Sequence, residues 1–320
     1  MMDWTDRHCR YLHRLISGCA LLYTEMVTAS AIAHGDLDRL LGFSAAEQPV
    51  ALQIGGSEPA LLARAVTAAA PFGYPEINLN VGCPSDRVQN GAFGACLMRS
   101  PDLVADCVSA MIDAADGQAE ITVKCRIGVD DQDPEVVLPA FIDRIAAAGV
   151  SRFAIHARKA WLQGLSPKEN RDIPPLDYDL VQRVKAARPD LHISINGGIT
   201  DLNQAQAFLD SGLDGVMIGR AAYHDPMLIL GPADQAIYGE ETPQRTAEDV
   251  VRDMLPYIEA HLAGGDRLNQ ITRHMMGLFQ GRPGARRWRR ILSEGAHKPG
   301  AGPDLVVEAL SAIEPVGEAA

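Results

Sequence analysis

From near its start to about residue 240 the chain repeats one local pattern, a short apolar run of strand character followed by an amphipathic stretch rich in Ala and Leu. Seven strand candidates are legible, at 20–26, 49–55, 76–82, 121–127, 152–157, 192–197 and 215–219. Helical periodicity falls between them at 58–70, 102–115, 135–148, 178–188 and 202–211. Strands that alternate with helices pair in parallel, because each crossover returns the chain to the same end of the sheet. In most of these runs one parity is aliphatic and the other small or polar: Ala51 and Gln53, Asn78 and Asn80, Thr122, Lys124 and Arg126, Ala154 and His156, Ser194 and Asn196. A doubly wound sheet covered on both faces reads as continuous aliphatic runs, so a polar-lined face predicts a closed barrel with that parity inside. The expected fold is a TIM (β/α)8 barrel. Seven strands are one short of eight, and the residues before Cys9 read as a loop entering a helix at Thr5 or Asp6. The first strand is therefore expected before residue 1.

After a last helix near 226–238, Gly239 to Pro243 break the repeat, and the remainder of the chain carries helical periodicity only, at 246–263, 268–280 and 285–293. A barrel of about 250 residues is ordinary, whereas 320 is too long for one average domain. The expected division is a catalytic barrel over 1–240 and a small all-α domain over 241–320. In the last of those helices Trp288, Ile291 and Leu292 share one face, and Arg286, Arg289 and Arg290 another.

A net charge of −12 argues against a nucleic-acid partner, but its distribution argues the other way. Between Arg273 and Lys298 seven cations face one acid, a local charge of +6, and a local patch is what a phosphate backbone feels. The loop 157–177 has no helical or strand period and mixes Arg158, Lys159, Trp161, Lys168 and Arg171, which makes it a second candidate partner surface. No apolar stretch approaches the roughly 20 residues of a membrane span, and no signal peptide opens the chain. The six cysteines lack both C-x-x-C and Cys/His ligand spacing, so neither a disulfide framework nor a metal site is expected, and the cytoplasm is the expected compartment.

Within the barrel, Cys83 sits where a strand ends at Gly82 and Pro84, ahead of a loop containing Gly91 and Gly94. Cys107 and Cys125 occupy apolar positions and read as small buried hydrophobes. Cys83, between asparagines and a Gly-Pro corner, reads as functional, since strand ends are where α/β enzymes keep reactive groups. Gln53, Lys124 and His156 lie near the ends of other strands and would converge on the same mouth. A lysine inside a barrel is costly unless it meets an anion or an electron-rich ring, which predicts a cofactor with a phosphate and a polar ring. Asn196, Gly197 and Gly198 after one strand, and Gly219 and Arg220 after the next, form the phosphate site expected of the last two loops of a barrel.

These residues meet a known family. Asp3-Trp4-Thr5-Asp6-Arg7, Leu79-Asn80-Val81-Gly82-Cys83-Pro84-Ser85, Val123-Lys124 with Arg126, Ile155-His156-Ala157-Arg158, Ser194-Ile195-Asn196-Gly197-Gly198 and Ile218-Gly219-Arg220 resemble the tRNA-dihydrouridine synthases. The loop Ala157–Arg171 and the segment Pro283–Ser293 resemble the A subfamily in particular. The resemblance implies an FMN barrel with a helical tRNA-binding domain, acting as a monomer on uridines 20 and 20a of the D-loop with NADPH as electron source. It implies that Cys83 is the general acid at C5 of uracil. An ordinary thiol, ionising at about pH 8.5 in model peptides, is mostly protonated at neutral pH, the form a proton donor needs. The resemblance assigns FMN to Met1, Gln53, Lys124, His156, Asn196, Gly197, Gly198, Gly219 and Arg220. It assigns tRNA contacts to Asn80, Lys168, Arg171, Arg286, Arg287, Arg289 and Arg290. Only the Met of the family's first strand end, Ala-Pro-Met, is present, as Met1. Two rivals stand beside this reading. A flavin barrel acting on a free pyrimidine has no use for the arginine face, and an RNA-binding scaffold has no use for Cys83, Lys124 and His156 together.

Overall fold

A computed structural model of the chain describes residues 1–85 and 93–314; Gly91, singled out above, lies outside the described residues. Seven parallel strands pair in sequence order: β1 (Leu22–Thr28), β2 (Val50–Gly55), β3 (Glu76–Val81), β4 (Glu120–Arg126), β5 (Arg152–His156), β6 (His192–Asn196) and β7 (Gly215–Met217). Their ends differ from the expected ones by up to two residues. The sheet curls, and among the described residues no pairing joins β7 to β1. Register stacks the polar parity in layers. Gln53 pairs with Asn78 and Asn78 with Thr122; Asn80 pairs with Lys124; Arg126 pairs with His156 and His156 with Asn196.

The aliphatic parity is buried under the crossover helices, which include α4 (Pro59–Ala69), α5 (Pro101–Ala115), α6 (Pro134–Ala146), α7 (Tyr178–Ala187) and α8 (Leu202–Asp210), counted after α1 (Arg7–Ile16), α2 (Ala29–His34) and α3 (Leu37–Leu41). Ile54, Leu79, Val123, Phe153 and Ile193 meet Leu62, Met111, Leu138 and Val181 there, and Cys107 and Cys125 are buried among them. Pro59, Pro101 and Pro134 open α4, α5 and α6 at positions that need no N–H donor.

After a short α9 (Arg220–His224), the single helix expected near 226–238 is two short ones, α10 (Pro226–Ile229) and α11 (Ala233–Ala236). Pro226 and Pro232 cannot donate to a continuous ladder, and Asp225 caps α10 instead. Four further helices follow, α12 (Ala247–Ala263), α13 (Asn269–Met275), α14 (Ala285–Gly295) and α15 (Pro303–Leu310). The expected helix 268–280 stops at Met275, and Gly277 then passes so close to the His224 carbonyl that a Cβ there would lie 2.3 Å from its oxygen. A second core gathers Val250, Met254, Ile271, Met275, Phe279, Trp288, Leu292 and Val306. Trp288 is fully buried, donates from Nε1 to the Met275 carbonyl at 3.1 Å and meets Phe279 edge-on.

Leu12 and Ile16 of α1 belong to this second core. Asp6 makes the joint: it caps α1 by accepting from His8 and Cys9 N–H, and it pairs with Arg273 and His274 of α13. Burial works against its charge, but His274, the Cys9 N–H and Arg273 outweigh it and hold the carboxyl well below the usual range. A depressed carboxyl stabilises the fold above its unfolded pKa and stops doing so as pH falls through the folded one. Asp6→Asn should therefore lose about 2 kcal/mol at pH 7, a charged hydrogen bond's worth. The gap to wild type should narrow as pH drops below about 4, as denaturant titrations at pH 7 and pH 3 would measure.

Candidate active site

The end of β3 is fixed from several directions. Asn80, turned into the sheet's polar side, accepts at Oδ1 from the N–H groups of Gly82 and Cys83 at 3.0 and 2.9 Å. Arg126, the last residue of β4, donates from Nε to the Gly82 carbonyl at 3.0 Å, and Ala95 N–H closes on the Cys83 carbonyl at 2.9 Å. The Cys83 backbone is thus held while its half-buried thiol meets Ser85 Oγ at 3.5 Å.

Arg126 does more than hold Gly82. It is buried, and its other nitrogen donates to the Lys159 and Asn170 carbonyls at 3.0 and 2.9 Å, so the long loop 157–177 is tied to the thiol's corner. Burial, with Arg158 and Arg171 close by, pushes this guanidinium down to about 10. Asn170 organises the loop itself: its amide donates to the Trp161 and Leu165 carbonyls and accepts from Trp161 N–H. The sequence gives Arg126 no role beyond its place in a motif and does not single out Asn170, because hydrogen bonds to backbone carbonyls leave no spacing signature.

Beside Asn80, Lys124 is pushed down to about 8 by burial and by Arg126. Among the described residues no hydrogen bond or ion pair holds its ammonium. Burial and the cations Arg126, Lys124, Arg158 and Arg220 push buried His156 well below its ordinary range, so its ring is neutral at neutral pH. Gly197 lies against that ring. Its φ is +109°, and a Cβ there would sit 2.3 Å from His156 Cδ2, so both the conformation and the close approach require glycine. Tyr178 OH donates to the Gly197 carbonyl at 2.7 Å, and Asn196 donates to the Met217 carbonyl at 2.7 Å, joining β6 to β7. Exposed Gly198 follows at φ +71°.

Arg220 reaches back to the long loop, pairing with Asp172 at 2.8 Å. The Met1 sulfur lies against Gly219, 3.3 Å from where a Cβ would stand. Arg158 and Arg171 both bury Nε without a hydrogen-bond partner among the described residues, whereas Lys168 stands exposed on the same loop. Gln53 engages both ends of its amide, donating to Asn78 and accepting from Asn80. Arg286, Arg287 and Arg290 are exposed on α14, away from these groups; Arg289 lines a cleft with Thr200, Tyr223, His224 and Arg273, which links the loops after β6 and β7 to the helical lobe. The mouth as a whole is cationic and under-partnered, with a thiol at its rim.

A family model described as dihydrouridine synthase (Dus) matches residues 1–314. The chain is 60% identical over 314 residues to a tRNA-dihydrouridine(20/20a) synthase of Shewanella oneidensis, covering 98% of this chain and 92% of that protein. It is 57% identical over 314 residues to the protein of the same name from Vibrio cholerae, covering 98% and 94%. Among solved structures, morphinone reductase superposes with a TM-score of 0.53 at 12% identity, covering 78% of this chain and 85% of the other, a likeness of fold.

Proposed function

The chain belongs to the dihydrouridine synthase (Dus) family, and from that premise we propose that it reduces uridine to 5,6-dihydrouridine at positions 20 and 20a of the tRNA D-loop, with FMN as its flavin and NADPH as electron donor. The observation that carries the reading is the thiol of Cys83, held at a strand end beside Lys124, whose ammonium has no hydrogen-bond or ion-pair partner among the described residues. A cradle of two left-handed glycines after β6, with a lysine and the Nε atoms of Arg158 and Arg171 that have no hydrogen-bond partner among the described residues, suits an anionic group bearing a polar ring. The residues present fit FMN.

We read the sheet as seven strands of an eight-stranded barrel, with residues 1–240 catalytic and 241–320 a helical tRNA-binding domain. On this reading Gly197, Gly198, Gly219 and Arg220 hold the phosphate, Lys124 and Gln53 the ring, and neutral His156 the ribityl side, with Met1 and Asn196 flanking. Lys168, Arg171 and the α14 arginines meet tRNA. The enzyme acts as a cytoplasmic monomer without a metal.

A folded tRNA hides its bases, so the target uridine must be extruded into the mouth, where the cations that flank it neutralise backbone phosphate. FMN held by these residues would, when reduced, supply the hydride that C6 of uracil accepts. Cys83 then gives its thiol proton to C5, the saturated ring leaves, and water returns a proton to the sulfur. Asn80 and Arg126, by fixing Gly82 and Cys83, keep that sulfur at one distance from the base. The test is dihydrouridine mapping in tRNA from a strain lacking its own position-20 enzyme and supplied with this chain. Uridine persisting at both positions, with turnover on free uracil instead, would favour the free-pyrimidine enzyme.

Lys124→Ala and Arg220→Ala should each weaken flavin retention. A charge-assisted contact contributes about 1.5–3 kcal/mol, or roughly ten- to hundredfold in dissociation constant. Arg220 should show the smaller effect, because Asp172 competes for its guanidinium. Flavin absorbance per mole of purified protein is the measurement, and unchanged occupancy in both variants would remove these residues from the cofactor site.

A further inference from the structure

We infer that Glu76, at the opposite end of β3 from the thiol, is a positioning residue: its carboxylate sets the direction of a hydrogen-bond relay that ends on the N–H groups of Gly82 and Cys83. The links are continuous. Glu76 Oε1 accepts from Tyr23 OH and from Thr122 Oγ1, the latter at 2.7 Å. With its proton committed to Glu76, the Thr122 oxygen accepts from Asn78 Nδ2 at 2.8 Å. Asn78 Oδ1 then accepts from Gln53 Nε2 at 3.0 Å, and Gln53 Oε1 from Asn80 Nδ2 at 2.8 Å. That leaves Asn80 Oδ1 for Gly82 and Cys83 N–H, at 3.0 and 2.9 Å. Glu76, Asn78, Asn80, Thr122 and Gln53 are all buried, so water does not substitute for a missing partner.

Every member between the ends could point either way, since a hydroxyl and three primary amides each both donate and accept. An ionised carboxylate cannot, because it only accepts. It therefore orients Thr122, and through it each amide in turn. Were the relay reversed, Asn80 would turn its NH2 toward two N–H donors, and the Cys83 corner would lose its hold. Burial raises the Glu76 carboxyl on balance, against the hydrogen bonds from Tyr23 and Thr122; the direction of the relay is set by geometry, with Oε1 accepting from both hydroxyls. About 17 Å of strand, at roughly 3.3 Å per residue, separates Glu76 from Val81, so the effect is one of orientation passed along side chains rather than contact.

The inference rests on the proposed reaction for its kinetic arm only. Glu76→Gln keeps the size of the side chain but lets it donate, which removes the imposed direction. We expect reoxidation of the reduced holoenzyme by tRNA, measured per bound flavin because Gln53 is both a relay link and a proposed ring contact, to slow about tenfold or more. Independently of the flavin, alkylation of Cys83 by iodoacetamide, followed by peptide mass spectrometry, should change several-fold while that of Cys19, outside the relay, stays constant. Thr122→Val breaks the second link, so it should reproduce both changes, and the double variant should be no worse than either single one. If Glu76→Gln does not fold, Thr122→Val alone decides. Unchanged Cys83 alkylation, or costs that add in the double variant, would overturn the relay. A chain that never reduces tRNA but shows the non-additive alkylation change would retain the relay and lose the proposed reaction.

Discussion

Cys83→Ala is expected to retain flavin, accept electrons from NADPH at the wild-type rate and bind tRNA, yet to form dihydrouridine at least a hundredfold more slowly, the low end of the roughly 10²–10⁴-fold that a positioned general acid contributes. The split between half-reactions follows from position. The thiol has Ser85 as its near polar neighbour, and the hydrogen bonds that fix the corner all run to backbone groups of Gly82 and Cys83, which alanine keeps. Among the described residues the thiol makes no hydrogen bond to Lys124, His156 or the glycine turn after β6. Single-turnover reoxidation of the reduced enzyme by tRNA, set beside anaerobic reduction by NADPH, separates the two steps. Reoxidation at the wild-type rate would mean that another group protonates C5. Cys83→Ser, which restores a weaker acid at the same place, should recover part of the rate and so separates proton donation from packing.

How much of the molecule is legible in its sequence depends on whether a feature repeats. The seven strands can be read because each sorts its side chains by parity, and the polar parity, Asn78 with Thr122 or Arg126 with His156, is what the sheet aligns into layers. Glycine identity at 197 carries its own signal, since a Cβ there has no room beside His156. Non-repeating, long-range features cannot be read. Helix α1 looks like the entry to the barrel, but Leu12 and Ile16 complete the C-terminal core, and Asp6 meets Arg273 and His274 of α13, 267 and 268 residues away in sequence. The role of Arg126 is hidden for another reason: its three acceptors are carbonyls, and every residue has one. The direction of the amide relay is equally hidden, because Asn and Gln look the same in sequence whichever way they point.

Removing Arg286, Arg287, Arg289 and Arg290 together should lower the slope of log affinity for tRNA against log salt by about 3, at roughly 0.7–0.9 for each phosphate no longer gripped. Between about 50 and 200 mM salt, wild-type affinity would then fall roughly 50- to 150-fold further than that of the quadruple alanine variant. The helix is built to present these side chains. Trp288 and Leu292 anchor one face in the second core, and Arg286, Arg287 and Arg290 stand exposed. Of the seven cations in the patch, Arg273 is taken by Asp6 and Arg282 by Glu248, at 2.7 Å in the second case, so the α14 arginines carry most of the charge left for a partner. Arg289 is distinct among them: it donates to Gln280 at 2.9 Å and lines the cleft that Tyr223 and His224 enter from the barrel side. Its single replacement should also weaken binding at high salt, whereas single replacement of exposed Arg287 should act through the salt slope alone. Because the apolar face is untouched, each substitution should shift folding stability by no more than about 0.5 kcal/mol, which a denaturant titration checks first. An unchanged salt slope in the folded quadruple variant would make the patch a solvated helix face and move tRNA recognition to the loop that Arg126 and Asn170 hold.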